Sequence, residues 1–287
     1  MTLREAIAAS AARLENAAGL AADPARDAQL LLLHTLSLPR TALFTDPGRT
    51  LTALEQERFD AAIRRRLAGE PIQYITGQQE FYGLTLRVTP AVLIPRPETE
   101  LLVEAVIAAL GDRGPLRIVD IGTGSGAIAI AVAHHLPQAQ VMALDLSPAA
   151  LAVASGNAAA LGLEGRLRFL RSDLLEAVAD EAPFDAVLSN PPYIPESDRE
   201  SLHPQVRDHE PAMALFAGAE GLDIYARLIP QALAALKPGG LLALEIGFGQ
   251  RPALAELLRA WDEVRFLDDL QGIPRVALGR RPATQAG

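Results

Sequence analysis

A largely apolar stretch, Leu116–Ile121, runs directly into Gly122-Thr123-Gly124-Ser125-Gly126 and then into an apolar helix candidate at 127–133. No other feature of the chain constrains the fold as tightly. A strand, a turn of alternating glycines and a helix in direct succession describe the carboxyl edge of an α/β sheet, where nucleotide-like ligands sit. Glycines suit that turn because a Cβ would hold the backbone away from a ligand, and because tight turns call for positive φ. The alternation continues from about residue 98 to the end. Helix candidates are 98–110, 126–135, 148–161, 221–236 and 250–260, and strand candidates are 116–121, 139–145, 166–171, 184–189, 240–246, 262–268 and 274–279. Predominantly apolar runs such as Ala186-Val187-Leu188 and 241–246 predict strands buried on both faces of a mainly parallel sheet. Asp145 ends the second strand, 21 residues after Gly124, placed to accept hydrogen bonds from two ribose hydroxyls.

The spacing of the loop narrows the ligand. A dinucleotide fingerprint reads G-x-G-x-x-G, whereas here the glycines fall at 122, 124 and 126. No G-K-[ST] follows, which removes a Walker phosphate loop. The chain has no cysteine, so disulfides, cysteine zinc sites and thiol nucleophiles are excluded. The formal charge of the 287 residues is −9. All of it lies in 76–287, because residues 1–75 carry nine basic and nine acidic side chains. An acidic body repels phosphate and counts against non-specific nucleic-acid binding as the main activity. The start, MTLREAIAAS, lacks a signal-peptide pattern, and apolar runs such as 30–33 and 128–133 fall far short of the roughly 20 residues of a spanning helix. The expectation is a soluble cytoplasmic protein with no membrane partner.

Residues 1–75 read as a bundle of four or five helices. Leu3, Ile7, Leu14 and the run at 30–33 recur at helical spacing, punctuated by Gly19, Asp23-Pro24, Pro39 and Asp46-Pro47-Gly48. In the clearest segment Leu51, Leu54, Phe59, Ile63 and Leu67 share a side, while Arg64-Arg65-Arg66 reads as solvated. Residues 76–97 change character: Phe81-Tyr82-Gly83-Leu84, then Leu86 and Val88, predict a short hairpin, and Pro90, Pro95 and Pro97 end regular structure. The expected organisation is a helical domain at 1–75, a β-hairpin linker at 76–97 and an α/β domain at 98–287.

The strand Phe184–Ser189 leads into Asn190-Pro191-Pro192-Tyr193. Two prolines fix φ and remove two donors, so this loop is rigid and displays carbonyl acceptors. Such a loop suits a planar –NH2 group, with the Asn190 side-chain oxygen and the Pro191 carbonyl each accepting one hydrogen. An amide nitrogen is a poor nucleophile because its lone pair is delocalised. Holding both hydrogens aligns it with an electrophilic methyl and favours the positive charge that develops on transfer. Tyr193 is expected to pack on the flat group and to favour the cationic centre.

The glycine loop resembles the E/DxGxGxG segment of class I S-adenosylmethionine-dependent methyltransferases. That resemblance implies that Gly122, Thr123, Gly124, Ser125 and Gly126 take the methionine moiety, Asp145 the ribose, and Asp173 and Leu174 the adenine, with Asn190 also at the cofactor. The whole chain resembles the HemK-type (PrmC) protein-(glutamine-N5) methyltransferases. The likeness is carried by the helical start, Gln79-Glu80-Phe81-Tyr82-Gly83, Ile94-Pro95-Arg96-Pro97-Glu98-Thr99-Glu100, the glycine loop, Asn190-Pro191-Pro192-Tyr193, Glu245-Ile246-Gly247 and the tail 269–275. It implies a seven-stranded Rossmann-like class I methyltransferase sheet with a small helical substrate-docking domain joined by a β-hairpin. S-adenosyl-L-methionine is the implied donor, giving S-adenosyl-L-homocysteine. The implied acceptor is the glutamine of the Gly-Gly-Gln motif of peptide chain release factors. Asn190, Pro191 and Tyr193 would be catalytic, and Pro192, Phe81, Arg96 and Pro97 would join them around the substrate.

Other candidates carry less. His134-His135 is adjacent on a helix, about 100° apart, with no cysteine to complete a metal site, so no metal is expected. His203 and His209, flanking Arg207, read as a solvated loop, and Glu210-Pro211 as structural. Three alternatives stay open on sequence alone: a ribosomal-protein glutamine methyltransferase, a DNA or RNA amino-group methyltransferase, and a nucleotide-sensing module without turnover. The acidic charge and the absence of a basic arm oppose the second, and Asn190 opposes the third.

Overall fold

The computed structural model describes residues 1–17, 23–111, 113–181 and 183–283. They form two compact units, one comprising Met1–Gln78 with Leu202–His209, the other Gln79–Ser201 with Glu210–Gly287.

The first unit is helical: α1 (Leu3–Glu15), α2 (Pro24–Leu36), α3 (Ala42–Thr45), α4 (Ala53–Leu67) and α5 (Ile72–Thr76). The expected breaker Gly19 lies outside the described residues. Local chemistry sets the other ends. Thr2 with Glu5 and Thr52 with Glu55 close reciprocal capping boxes, and Asp23 caps α2 ahead of Pro24. Leu3, Leu14, Leu31, Leu32, Phe59 and Ile63 are buried together. Two expectations fail here. Leu54 is exposed, because five residues before Phe59 it lies about 140° away around the helix. Arg66 is not solvated: it is buried, and its Nε donates to Asp27 Oδ2 at 2.8 Å. A run of three arginines on one helix cannot all face one way, and α2 supplies the carboxylate that lets one turn inward.

The antiparallel hairpin β1 (Gln78–Phe81) and β2 (Leu84–Arg87), which lies in the second unit from Gln79 onward, is followed by α6 (Glu100–Leu110). Then come β3 (Leu116–Ile121), α7 (Ala127–His135), β4 (Ala139–Asp145), α8 (Pro148–Ala160), β5 (Leu167–Arg171) and β6 (Phe184–Ser189). The short α9 (Pro204–His209) belongs to the helical unit, so the stretch around His203 and His209 is a helix where a loop was expected. The chain ends with α10 (Asp223–Ala235), β7 (Leu236–Glu245), α11 (Arg251–Leu257), β8 (Asp262–Asp268) and β9 (Pro274–Arg280).

The seven-stranded sheet has the order β5-β4-β3-β6-β7-β9-β8. Strands β5 to β7 are parallel, and β9 runs antiparallel to both β7 and β8. Residues of one strand alternate between two cores: Ile118 packs with Leu102, Val106 and Ile130, while Val119 and Ile121 pack with Tyr225, Leu228 and Leu254. Helices therefore cover both faces. The chain leaves β3 towards β4 and β5, then returns to β6 on the other side of β3. That reversal places a crevice at the carboxyl ends of β3 and β6.

Candidate active site

The two loops singled out in the sequence meet at that crevice. The cleft is lined by Gly122, Thr123, Gly124 and Ser125 after β3, Asp145 at the end of β4, Asp173 and Leu174 after β5, and Asn190, Pro191 and Pro192 after β6, together with Arg96 and Thr99.

The glycine loop is held by its own hydrogen bonds. Gly122, Gly124 and Gly126 have φ of 67°, 56° and 85°, which a side chain would strain. Thr123 N–H donates to the Leu144 carbonyl, and Thr123 Oγ1 donates to Asp120 Oδ2 at 2.6 Å. Gly124 N–H and Ser147 N–H donate to the two oxygens of Asp145 at 2.9 and 2.8 Å. Each of those oxygens keeps a lone pair for a further donor. Asn157 ties the loop to the hairpin: its Nδ2 donates to the Ser125 and Arg87 carbonyls, and its Oδ1 accepts from Arg87 N–H. Gly126 does not line the cleft. A Cβ there would stand 2.9 Å from Ile130 Cδ1 and 3.1 Å from Ala154, so this glycine lets α7 and α8 approach.

Asp120 is fully buried, and its Oδ1 has no partner among the described residues. Burial raises its carboxyl to about 7, against the bond from Thr123. The folded chain thus holds a proton that the unfolded chain releases at an ordinary carboxyl value near 4. Stability contributed by this group falls as pH rises from about 4 to about 7. Asp120→Asn is expected to flatten that fall, read as a smaller loss of Tm between about pH 5 and about pH 8.

The Asn190-Pro191-Pro192-Tyr193 loop is clamped from several sides. Asn190 Nδ2 donates to Thr99 Oγ1 at 3.2 Å, and Thr99 Oγ1 donates to Glu245 Oε2 at 2.5 Å. Asn190 Oδ1 and the Pro191 carbonyl accept from no group among the described residues. Past the loop, Ile194 pairs with Phe216, and Gln250 Nε2 donates to the Tyr193 and Gly221 carbonyls. Gly221 has φ 70°, and a Cβ there would stand 2.1 Å from the Tyr193 carbonyl oxygen. Gly221→Ala is therefore expected to cost about 2–3 kcal/mol of stability and to displace the loop, lowering both Tm and turnover.

Three expected contacts are placed differently. Phe81 is buried in the core with Leu84, Leu86 and Leu102, away from the cleft. Pro97 does not line it either; Pro95, Arg96 and Thr99 do. Tyr193 is absent from the cleft lining: its ring packs against the second core and its hydroxyl donates to Glu245 Oε1 at 3.2 Å. Burial beside that carboxylate pushes the phenol well above its ordinary value, so it stays a hydroxyl donor. Asp173 reaches the cleft but pairs with Arg227 at 2.7 Å, and Leu174 beside it has a left-handed φ of 50°. Arg96 Nη2 donates to the buried Glu210 Oε1 at 2.5 Å, and Glu210 Oε2 accepts from Ile94 N–H. Glu210 thus has the structural part expected of it. Sequence reasoning gave no role to Thr99 or Glu245, although a lone carboxylate inside the otherwise apolar run 241–246 is the available signal.

No group of His, Cys, Asp and Glu side chains among the described residues is arranged to hold a metal ion. Among the same residues no helix is long and apolar enough to cross a membrane.

The sheet order, the glycine loop and the clamped loop after β6 define a class I methyltransferase. Residues 97–205 match the methyltransferase small domain, and residues 5–77 match the PrmC N-terminal domain. The chain is 46% identical to the release factor glutamine methyltransferase of Koribacter versatilis, over 99% of this chain and all of that one. It is equally similar to that of Moorella thermoacetica, over 98% and 99% of the two chains, and 41% identical to that of Caulobacter vibrioides, over 97% and 96%. The chain belongs to the release factor glutamine methyltransferase family.

Solved structures share the fold at low identity. The hMettl16 catalytic domain in complex with a MAT2A 3′UTR hairpin gives a TM-score of 0.57 at 17% identity, over 83% of this chain and 86% of that one. The Thermus thermophilus 16S rRNA N2 G1207 methyltransferase in complex with AdoMet and guanosine gives 0.53 at 23%, over 71% and 49%.

Proposed function

We propose that the chain transfers a methyl group from S-adenosyl-L-methionine to the side-chain amide nitrogen (N5) of the glutamine in the Gly-Gly-Gln motif of peptide chain release factors. The observation that carries this reading is the Asn190 amide. Its Nδ2 end is engaged by Thr99, which leaves Oδ1 and the neighbouring Pro191 carbonyl as two acceptors at a cleft that the glycine loop also lines. Two acceptors fit the two hydrogens of a primary amide.

The cleft residues fit the donor. Positive-φ glycines at 122 and 124 have open space where a Cβ would stand, so backbone can approach the methionine moiety. Asp145, fixed by two backbone N–H groups, has lone pairs left for the ribose hydroxyls. Leu174 and Asp173 stand where the adenine would reach, with Leu174 offering an apolar surface. When bound, S-adenosyl-L-methionine supplies an electrophilic methyl on a sulfonium and departs as S-adenosyl-L-homocysteine.

Asn190 and Pro191 hold the acceptor nitrogen by both hydrogens and orient its weak lone pair at the methyl carbon. As the N–C bond forms, nitrogen becomes positive, and the two carbonyl dipoles stabilise that charge in place. The methylated nitrogen is then acidic and gives up one proton to water, so no strong base is needed. Tyr193 acts from behind, as a rigid support bonded to Glu245. Pro192 stiffens the loop, and Arg96, anchored on Glu210, forms part of the cleft lining.

An acidic chain suits a protein acceptor better than a phosphate-rich one, and a translation factor as substrate places the protein in the cytoplasm. The test offers labelled donor to release factor, to its Gly-Gly-Gln glutamine variant, to ribosomal proteins and to oligonucleotides. Label is expected in the first alone, and label in nucleic acid would overturn the reading.

A further inference from the structure

Thr99 and Glu245 lie 146 residues apart in sequence and touch in the fold. A hydroxyl carries one hydrogen. Thr99 donates that hydrogen to the Glu245 carboxylate, so it presents only lone pairs to Asn190. The Asn190 amide must then offer its NH2 to Thr99 and turn its carbonyl oxygen the other way. A carboxylate has no hydrogen to give, so polarity is set at Glu245 and passes outward through Thr99 to Asn190. The other carboxylate oxygen is engaged in the same sense by the Tyr193 hydroxyl.

We propose that Glu245 and Thr99 are positioning residues that lock the Asn190 amide with Oδ1 facing the acceptor nitrogen, an inference that rests on the amide-holding role proposed above for Asn190. With the amide turned over, its NH2 would meet the NH2 of the acceptor, donor against donor, and the nitrogen could not be held. A protonated Glu245 gives up one of its two acceptor positions. When that proton lies towards Thr99, the hydroxyl reverses and the amide follows.

The surroundings of Glu245 are mixed. Thr99 and Tyr193 donate to its side chain, and the Tyr225 hydroxyl donates to its backbone carbonyl at 2.7 Å. The negative charge of Glu98 disfavours its ionisation, and Arg275, on β9, favours it. Burial is the largest effect and outweighs the bonds from Thr99 and Tyr193 and the charge of Arg275, raising the carboxyl to about 7. The ionised carboxylate, and with it the productive amide, is therefore populated above neutral pH and lost below. At saturating donor, kcat is expected to rise with pH through about 7.

Thr99→Val keeps the volume and removes the hydroxyl. It is expected to lower kcat by about 30-fold, to leave donor affinity unchanged, and to abolish the acid limb of the pH profile because Asn190 is uncoupled from Glu245. Thr99→Ser keeps the hydroxyl and is expected to retain both the limb and most of the rate. A second measurement needs no acceptor. The chain has three asparagines, Asn16, Asn157 and Asn190, so asparagine-selective 15N labelling resolves the Asn190 side-chain NH2. Lowering the pH from about 8 to about 6 is expected to shift that signal in the wild-type chain and not in Thr99→Val. A Thr99→Val enzyme with the wild-type acid limb, or a wild-type Asn190 signal unmoved across that range, would overturn the inference. Failure to methylate release factor with a responsive Asn190 signal would instead count against the proposed substrate.

Discussion

Asn190→Ala is expected to lower methyl transfer to a release factor by on the order of 10²–10³-fold while leaving S-adenosylmethionine affinity within about twofold. The side chain and Asp145 line the same cleft from different elements, and its amide is bonded to Thr99 and not to the glycine loop. Alanine leaves the Pro191 carbonyl as one acceptor for two hydrogens. The nitrogen then rotates about its remaining bond, and the charge that builds on it loses a fixed dipole. The two effects act on the transition state, so kcat falls and donor binding does not. Calorimetry with the donor and single-turnover transfer separate these quantities. An equal loss of donor affinity would mean that Asn190 serves the cofactor and not the acceptor.

Asp145→Ala is expected to show the reverse pattern, with donor affinity reduced by at least about 100-fold. Hydrogen bonds to a charged group contribute about 1.5–3 kcal/mol each, and two ribose hydroxyls would lose such a partner. Gly124 and Ser147 N–H groups lose theirs as well, so the turn that approaches the donor loosens at the same time. At saturating donor the rate is expected to recover to within about tenfold of wild type. Unchanged donor affinity would place the ribose elsewhere.

Much of the sheet was legible because its central strands repeat one physical pattern. Runs such as Leu116–Ile121 and Phe184–Ser189 are apolar apart from Arg117, Asp120, Asp185 and Ser189, as suits strands covered on both faces, and the proposed limits match the observed ones. Strand β7 was less legible. It begins at Leu236 and passes through Lys237-Pro238-Gly239-Gly240, residues that read as a turn, and its pairing with β6 shifts register over that stretch. The glycine loop and the Asn-Pro-Pro-Tyr loop were legible because their chemistry is local. Spacing of glycines and paired prolines act on the backbone where they stand.

What escaped sequence reasoning depends on contacts distant in the chain. Whether Arg66 faces water or Asp27 is decided by where α2 lies, and nothing in α4 itself records that. Phe81 and Tyr193 stand in motifs with proline and glycine, which invites a place in the cleft. Packing draws the first into the core, and a carboxylate on a neighbouring strand draws the second away. The link from Asn190 through Thr99 to Glu245 joins three separate segments, each readable alone only as a polar residue at the end of an element.

The central claim is that the acceptor is a release-factor glutamine held by its amide. The direct measurement is peptide mass spectrometry of a purified release factor after incubation with the enzyme and S-adenosylmethionine. One added methyl on the Gly-Gly-Gln glutamine side chain, absent from the reaction with Asn190→Ala, is the expected result. An unmodified glutamine there, with methyl groups found on a ribosomal protein or an oligonucleotide in parallel reactions, would contradict it.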